Sequence, residues 1–208
     1  NQFNNYAFNS VRRAITAVSD PEFIEMNLLA APGIKTNGLT NYMTEVCEER
    51  GDALAIIDIE NGGYIPTTEN TDTFKTRIQN SKVLNAVTSL EARSLDSSYA
   101  CCFYPWVKVV DQISNNQVWV PPSVVAMGAM SYGQSTQALW FAPAGFHRGG
   151  IGVLGGSAGP RVVGTIEHLT KRDRDNLYEQ NVNPIARFPS IGEIVIFGQK
   201  TLQQTPSA

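Results

Sequence analysis

The first sustained apolar run, Met26-Asn-Leu-Leu-Ala-Ala-Pro32, stops at a Pro-Gly pair and reads as a buried strand entering a turn. Leu39, Tyr42, Met43 and Val46 then recur at helical spacing, which predicts a helix with Asn37 as its cap and Gly51 as its stop. Ala53-Leu-Ala-Ile-Ile-Asp-Ile59 is apolar at nearly every position, the pattern of a strand covered on both faces in a parallel sheet. Strand, helix and strand make a βαβ unit, expected to cross over right-handedly, and place the chain in the α/β class.

Residues 60 to 71 read as a turn-rich loop, after which Phe74, Ile78, Val83, Leu84, Val87, Leu90 and Leu95 predict a second crossover helix, broken near Asn80-Ser81. A third strand is expected from Tyr99 through Trp106 and on to Val110. Asp111 to Asn116 is a hairpin loop, because Val118-Trp-Val120 resumes the extended pattern. Pro121-Pro122-Ser123 opens a helix whose packed side is expected at Val124, Val125, Met127, Gly128 and Met130; Ala126, Gly128 and Ala129 permit close approach to a neighbour. Eight glycines and two prolines between Ala142 and Gly164 predict a long shaped loop without regular structure. A helix from about Lys171 to Gln180 and strands near Ile185 to Phe188 and Glu193 to Phe197 complete the pattern. The expected fold is one α/β domain over residues 1-208, a mixed sheet built on the βαβ start with helices on both faces and a sub-boundary near residue 97. There is no internal repeat and no low-complexity linker.

Composition narrows the function classes. With 208 residues, 42% hydrophobic and 17% charged, the chain is of globular type and long enough to bury a sizeable core. No segment approaches the roughly 18 uninterrupted apolar residues of a membrane span. The net charge of -3 carries no single-sign block, which argues against nucleic acid as a partner. Cys47, Cys101 and Cys102 are odd in number, and the adjacent pair points to opposite faces of a strand, so the three read as free thiols rather than as a metal set or a disulfide framework. No signal peptide opens the sequence. It starts at Asn1-Gln2-Phe3-Asn4-Asn5 without Met, and both ends are expected to be cuts in a longer protein.

Two short motifs invite a chemical reading. Gly150-Ile-Gly-Val-Leu-Gly155 fits the dinucleotide fingerprint, yet His147-Arg148-Gly149 precedes it where a buried strand is required, and Gly156 to Pro160 follows where a helix must open. Gly155-Gly-Ser157-Ala-Gly159 fits a nucleophile elbow. Its downstream histidine, His168, has Glu167 as its nearest acid, a sequence neighbour badly placed to orient a triad imidazole. His147 and His168 lack ligand-spaced partners. The alternating run Lys171-Arg-Asp-Arg-Asp175 reads as a solvated face that also suits a subunit interface. The Tyr99 to Trp106 aromatics, lacking interleaved basic residues, read as core rather than as base-stacking platforms. The expectation is a non-enzyme with no catalytic, cofactor-binding or metal site. An α/β hydrolase using Ser157 is the rival reading.

From Ser98 onward the order of segments is more specific than any of these motifs. Ser98-Tyr-Ala-Cys-Cys-Phe-Tyr-Pro-Trp106, Val120-Pro-Pro-Ser123, Trp140-Phe-Ala-Pro-Ala-Gly145, Arg172-Asp-Arg-Asp-Asn-Leu177, Asn181-Val-Asn-Pro-Ile185 and Gly192-Glu-Ile-Val-Ile-Phe-Gly198 with Lys200-Thr-Leu202 follow one another as in the C-terminal half of contractile phage tail sheath proteins. The sequence resembles that family strongly over about half its length, and Phe197-Gly-Gln-Lys200 resembles the version of T4-like phages. Leu28 to Gly33 is similar to the family less distinctively, and the glycine richness of 149 to 164 departs from it. The resemblance implies a structural subunit of the virion tail, assembled in the bacterial host cytoplasm. Such subunits stack as six-membered rings around a tube and contract to drive it through the host envelope. The implied partners are other sheath subunits, the tail tube protein, and baseplate and tail terminator proteins, without cofactors or membrane insertion. The sheath of a bacteriocin or injection system of the same design is the alternative. Family members carry terminal arms that link neighbours, so this span alone is expected to be largely monomeric. The Gly149 to Gly164 loop is the expected contact loop.

Overall fold

The structure is a computed structural model that describes residues 5–60, 83–111, 113–138, 140–152 and 161–205. Its centre is a five-stranded sheet in the order β1 (Leu28–Ala30), β2 (Leu54–Ile57), β3 (Ala100–Tyr104), β7 (Val182–Phe188) and β8 (Glu193–Ile196). The first four strands are parallel, in register at Leu28 with Leu54, Ala55 with Ala100 and Cys102 with Val182; β8 joins antiparallel, pairing Ile196 with Ile185. The parallel α/β sheet predicted from the all-apolar runs is therefore present, with the mixed character supplied by β8.

Strand pleating divides the buried residues between two cores. Ala55, Ile57, Ala100, Cys102, Tyr104 and Val182 face one side, where they meet α1 (Tyr6–Ala17), α2 (Asn37–Arg50), α3 (Val83–Glu91) and α6 (Lys171–Glu179). Ile56, Cys101, Phe103 and Ile185 face the other, where they meet α4 (Pro122–Thr136) and a second sheet. Cys101 and Cys102 thus sit in different cores, as strand alternation requires.

Several local expectations are corrected. The run from Tyr99 to Val110 is not one strand: it divides at a cis Tyr104-Pro105 bond, and β4 (Val107–Val110) lies at the centre of a separate antiparallel sheet between β5 (Gln117–Val120) and β6 (Val162–Thr165). The hairpin loop between β4 and β5 is as predicted. Asp111 accepts hydrogen bonds from the backbone N–H groups of Ile113 and Ser114 there, at 3.1 and 3.3 Å. Asn37 is the first residue of α2 rather than its cap, a position held by Thr36; Gly51 does stop the helix, with φ +70°. In α4 the buried residues are Pro122, Ser123, Val125, Ala126 and Ala129; of the expected packed side Val125 is in the core and Met127 and Met130 pack against it half-buried, while Val124 and Gly128 give way to Ala126 and Ala129. Within the glycine-rich span, α5 (Gly145–Arg148) and β6 are regular structure. Most of the predicted 60 to 71 loop, the Phe74 and Ile78 end of the second crossover helix, and Ser157 lie outside the described residues.

α1 was not expected. Asn5 caps it by accepting the Ala7 N–H at 3.0 Å, and Phe8 and Ile15 enter the core while Tyr42 of α2 hydrogen-bonds Thr16.

Candidate interaction surface

The residues singled out for chemistry are described only in part, since Ser157 lies outside the described residues. His147 and His168 are exposed. Glu167, the sequence neighbour of His168, accepts the hydroxyl of Tyr104. Among the described residues no group of three or more His, Cys, Asp and Glu can hold a metal ion, and no helix is long and apolar enough to cross a membrane.

The described part of the dinucleotide-like motif is engaged in the fold. Gly150 bridges Val195, and the Ile151 N–H donates to the Ile194 carbonyl at 2.9 Å. The Gly152 N–H donates to Glu193 Oε1 at 2.6 Å, so amides that would cradle a phosphate are already bound to β8. The glycines serve close approach. A Cβ on Gly149 would stand 2.4 Å from the Ile196 carbonyl oxygen, and one on Gly152 2.3 Å from Glu193 Oε1. Residues 149–152 of the expected contact loop therefore belong to the body of the protein.

Burial disarms the cysteines. It raises the pKa of Cys47 to about 11 and of Cys101 to about 12, and moves Cys102 upward as well. The folded protein is expected to leave all three thiols unreacted with Ellman's reagent at neutral pH, and the unfolded protein to react at all three. Stoichiometric labelling before unfolding would contradict this packing.

Buried polar side chains act as pins. Asp58, just after β2 and 2% exposed, accepts the Gly33 N–H at 2.8 Å, the Ser123 hydroxyl at 2.9 Å and the Ser123 N–H at 3.3 Å. Pro121 at the N-cap of α4 offers no side-chain acceptor, so Asp58 satisfies that helix end from another strand. Burial raises its pKa, against the lowering effect of these bonds. Asn183 in β7 donates to the carbonyls of Cys102 at 3.1 Å and Lys200 at 2.8 Å and accepts the Lys200 N–H at 2.7 Å. The strap that follows β8 is thereby laid along the sheet, where the Leu202 N–H reaches the Ala100 carbonyl at 2.8 Å. Its far end is held by Asp96, which accepts the Gln204 N–H at 2.7 Å and the Thr205 hydroxyl at 2.9 Å.

Around this strap the distant segments of the sequence pattern converge. Ala144 and Gly145, Lys171 and Arg174 of α6, Tyr178 and Phe197 line a surface groove of about 570 Å³. Tyr178 and Phe197 are its aromatic lining, and behind it Phe197 meets Phe146 and Phe188, the three ring centroids 4.9 to 5.5 Å apart. Cations pack on the rings, with Arg174 5.1 Å from the centre of Phe188 and Lys200 4.0 Å from that of Tyr178. Nearby, Arg148 covers Phe141 at 3.7 Å, and Trp140 stands 82% exposed. The alternating run at 171 to 175 proves partly structural. Asp173 closes a capping box with Thr170, and Arg174 donates to the Leu169 carbonyl at 3.1 Å, leaving Lys171 exposed at the rim. Sequence reading missed the aromatic cluster because its three rings come from three separated segments.

No family model matches the sequence. Over 98 residues, 47% of this chain, it is 32% identical to the tail sheath protein of Vibrio phage KVP40, of which that stretch is 13%. Its fold is similar to a chain of the anti-feeding prophage baseplate, with a TM-score of 0.60 and 17% identity over 92% of this chain and 42% of that one. It is also similar to the sheath complex of an extracellular contractile injection system in the contracted state, with a TM-score of 0.57 and 18% identity over 92% of this chain and 45% of that one. The contracted helical sheath of the anti-feeding prophage gives 0.52 and 17% over 99% and 46%. The chain spans less than half of each solved chain and a smaller share of the phage protein.

Proposed function

We propose that this chain, similar in sequence to a phage tail sheath protein and in fold to sheath domains, is the core of a contractile tail sheath subunit. Residues 1-208, including any sub-boundary near residue 97, form that core domain. Subunits stack as six-membered rings around the tail tube, and the lattice contracts to drive the tube through the host envelope. Other sheath subunits, the tube, the baseplate and the tail terminator are the partners, in a virion tail assembled in the host cytoplasm. The role is mechanical and not enzymatic. It needs a rigid body with interfaces that accept two packings. The observation carrying this reading is the convergence of Trp140 to Gly145, Arg172 to Leu177, Asn181 to Ile185 and Gly192 to Leu202 on one outward-facing groove.

Negative-stain electron microscopy of the full-length subunit, concentrated alone and mixed with assembled tail tubes, tests it. Hollow helical tubes of regular pitch are expected. Failure to form a helical assembly under both conditions would overturn the reading. The sheath of a contractile injection system is the second reading, favoured by the three solved structures of similar fold. Isolated particles separate the two: attachment to a DNA-filled capsid marks a phage tail, and capsid-free particles mark an injection system.

A further inference from the structure

Phe23 is 81% exposed at the tip of the turn Asp20-Pro-Glu-Phe-Ile-Glu25, amid three acidic residues. The turn is held in shape. The N–H groups of Phe23 and Ile24 return to the Asp20 carbonyl at 3.3 and 3.2 Å, and Asp20 Oδ1 accepts the Glu22 N–H at 2.9 Å. Arg50 of α2 fastens both ends, donating to the Val18 carbonyl at 2.7 Å and the Ile24 carbonyl at 2.9 Å while Asp52 fixes the guanidinium at 2.8 Å. An aromatic side chain on a pre-ordered turn loses little entropy on docking, and this arrangement suits an anchor better than a solvent loop.

The groove between α6 and the end of β8 complements it. Its lining includes two aromatic side chains, Tyr178 and Phe197, and carries Lys171 and Arg174 against one carboxylate, Asp175. Its volume, about 570 Å³, admits a phenyl ring with its flanking backbone. The two features cannot meet within one copy. The acidic turn leads into β1 and the groove adjoins β8, the opposite edges of the five-stranded sheet, four strand spacings or about 19 Å apart. Two different complementary patches at opposite edges make a head-to-tail contact, which propagates into rings or helices rather than closing as a dimer.

We infer that the Asp20–Glu25 turn of one copy of this chain seats Phe23 in the aromatic, cationic groove of a second copy. The inference deepens the proposed self-assembly and rests on it, but the contact is testable by itself. Glu25→Cys, which keeps Phe23, and Gln199→Cys variants are mixed under mild oxidation, both as this chain and within the full-length subunit assembled into tubes. Cys47, Cys101 and Cys102 are buried and give little background. A disulfide-linked heterodimer is expected, at about tenfold the yield of a control pairing of Glu25→Cys with Glu91→Cys on the exposed side of α3. Adding Lys171→Glu to the groove partner is expected to lower the yield, and adding Glu22→Lys to the other partner to restore it. Circular dichroism establishes that each variant is folded. Equal yields for the test and control pairings overturn the inference, as does capture of Gln199→Cys by a different tail protein. If tubes form without the cross-link, the contact is wrong and the sheath reading stands. If the cross-link forms and tubes do not, the contact is right and the sheath reading falls.

Discussion

Asn183→Ala is expected to destabilise the protein by about 3 kcal/mol, since it strips partners from the buried Cys102 carbonyl and from the part-buried N–H and carbonyl of Lys200 at once. For a chain of this size that is a fall in Tm of roughly 6–12 °C, measurable by thermal denaturation. The loss has a local signature. Asn183 is what ties Lys200 to β7, so the amide protons of Lys200 and Leu202 should exchange with solvent faster than those of β2 and β3 in the variant. Unchanged protection at Lys200 would show that the strap is held by other contacts. The packing is tight enough that Gly198 has no alternative residue: a Cβ there would stand 2.7 Å from Asn183 Oδ1.

Gly149→Ala is expected to cost a similar amount, about 3 kcal/mol, through overpacking. The added methyl meets the Ile196 carbonyl oxygen at 2.4 Å and the backbone of Ala144 and Gly145 at 2.8 Å, none of which is a side chain that can rotate away. The neighbouring β8 contact, in which the Ile196 N–H donates to the Gly149 carbonyl at 2.7 Å, is disturbed with it. Gly133→Ala is the control of opposite sign. It lies in α4 with Pro143 Cβ 3.9 Å away, so it is expected to stabilise by about 0.5–1 kcal/mol. Urea denaturation of the two variants side by side tests whether backbone crowding, and not glycine content as such, governs this region.

The central sheet was legible in the sequence because strands buried on both faces must be apolar at consecutive positions, as Ala53 to Ile59 and Ala100 to Tyr104 are. The second sheet was not. Val107 to Val110 continues the same apolar pattern, and nothing in hydropathy marks the point where the chain leaves one sheet for another. α1 left a signal that sequence reading passed over: Phe8, Val11 and Ile15 are spaced for one helical face, behind an Asn5 cap. The groove was legible only in pieces. Its segments stood out as a family pattern, but what brings them together is Asn183 and the strap, hydrogen bonds between positions 17 residues apart that no local periodicity encodes. Phe23 carried no signal at all, since one phenylalanine among acids looks like an ordinary turn until its exposure is known.

The strands of the central sheet follow the order of the chain from one edge to the other, β1, β2, β3, β7, β8, and α2, α3 and α6 all lie on one face. Open parallel sheets that hold small ligands reverse direction partway, so that two neighbouring connections depart to opposite sides and leave a cleft at the strand ends. No such reversal exists among the described strands. At the end of β2, where a cleft would open, Asp58 instead clasps Gly33 to the start of α4. A carboxylate buried at the end of β2 thus ties together the turn after β1, β2 itself and the helix that covers the opposite face.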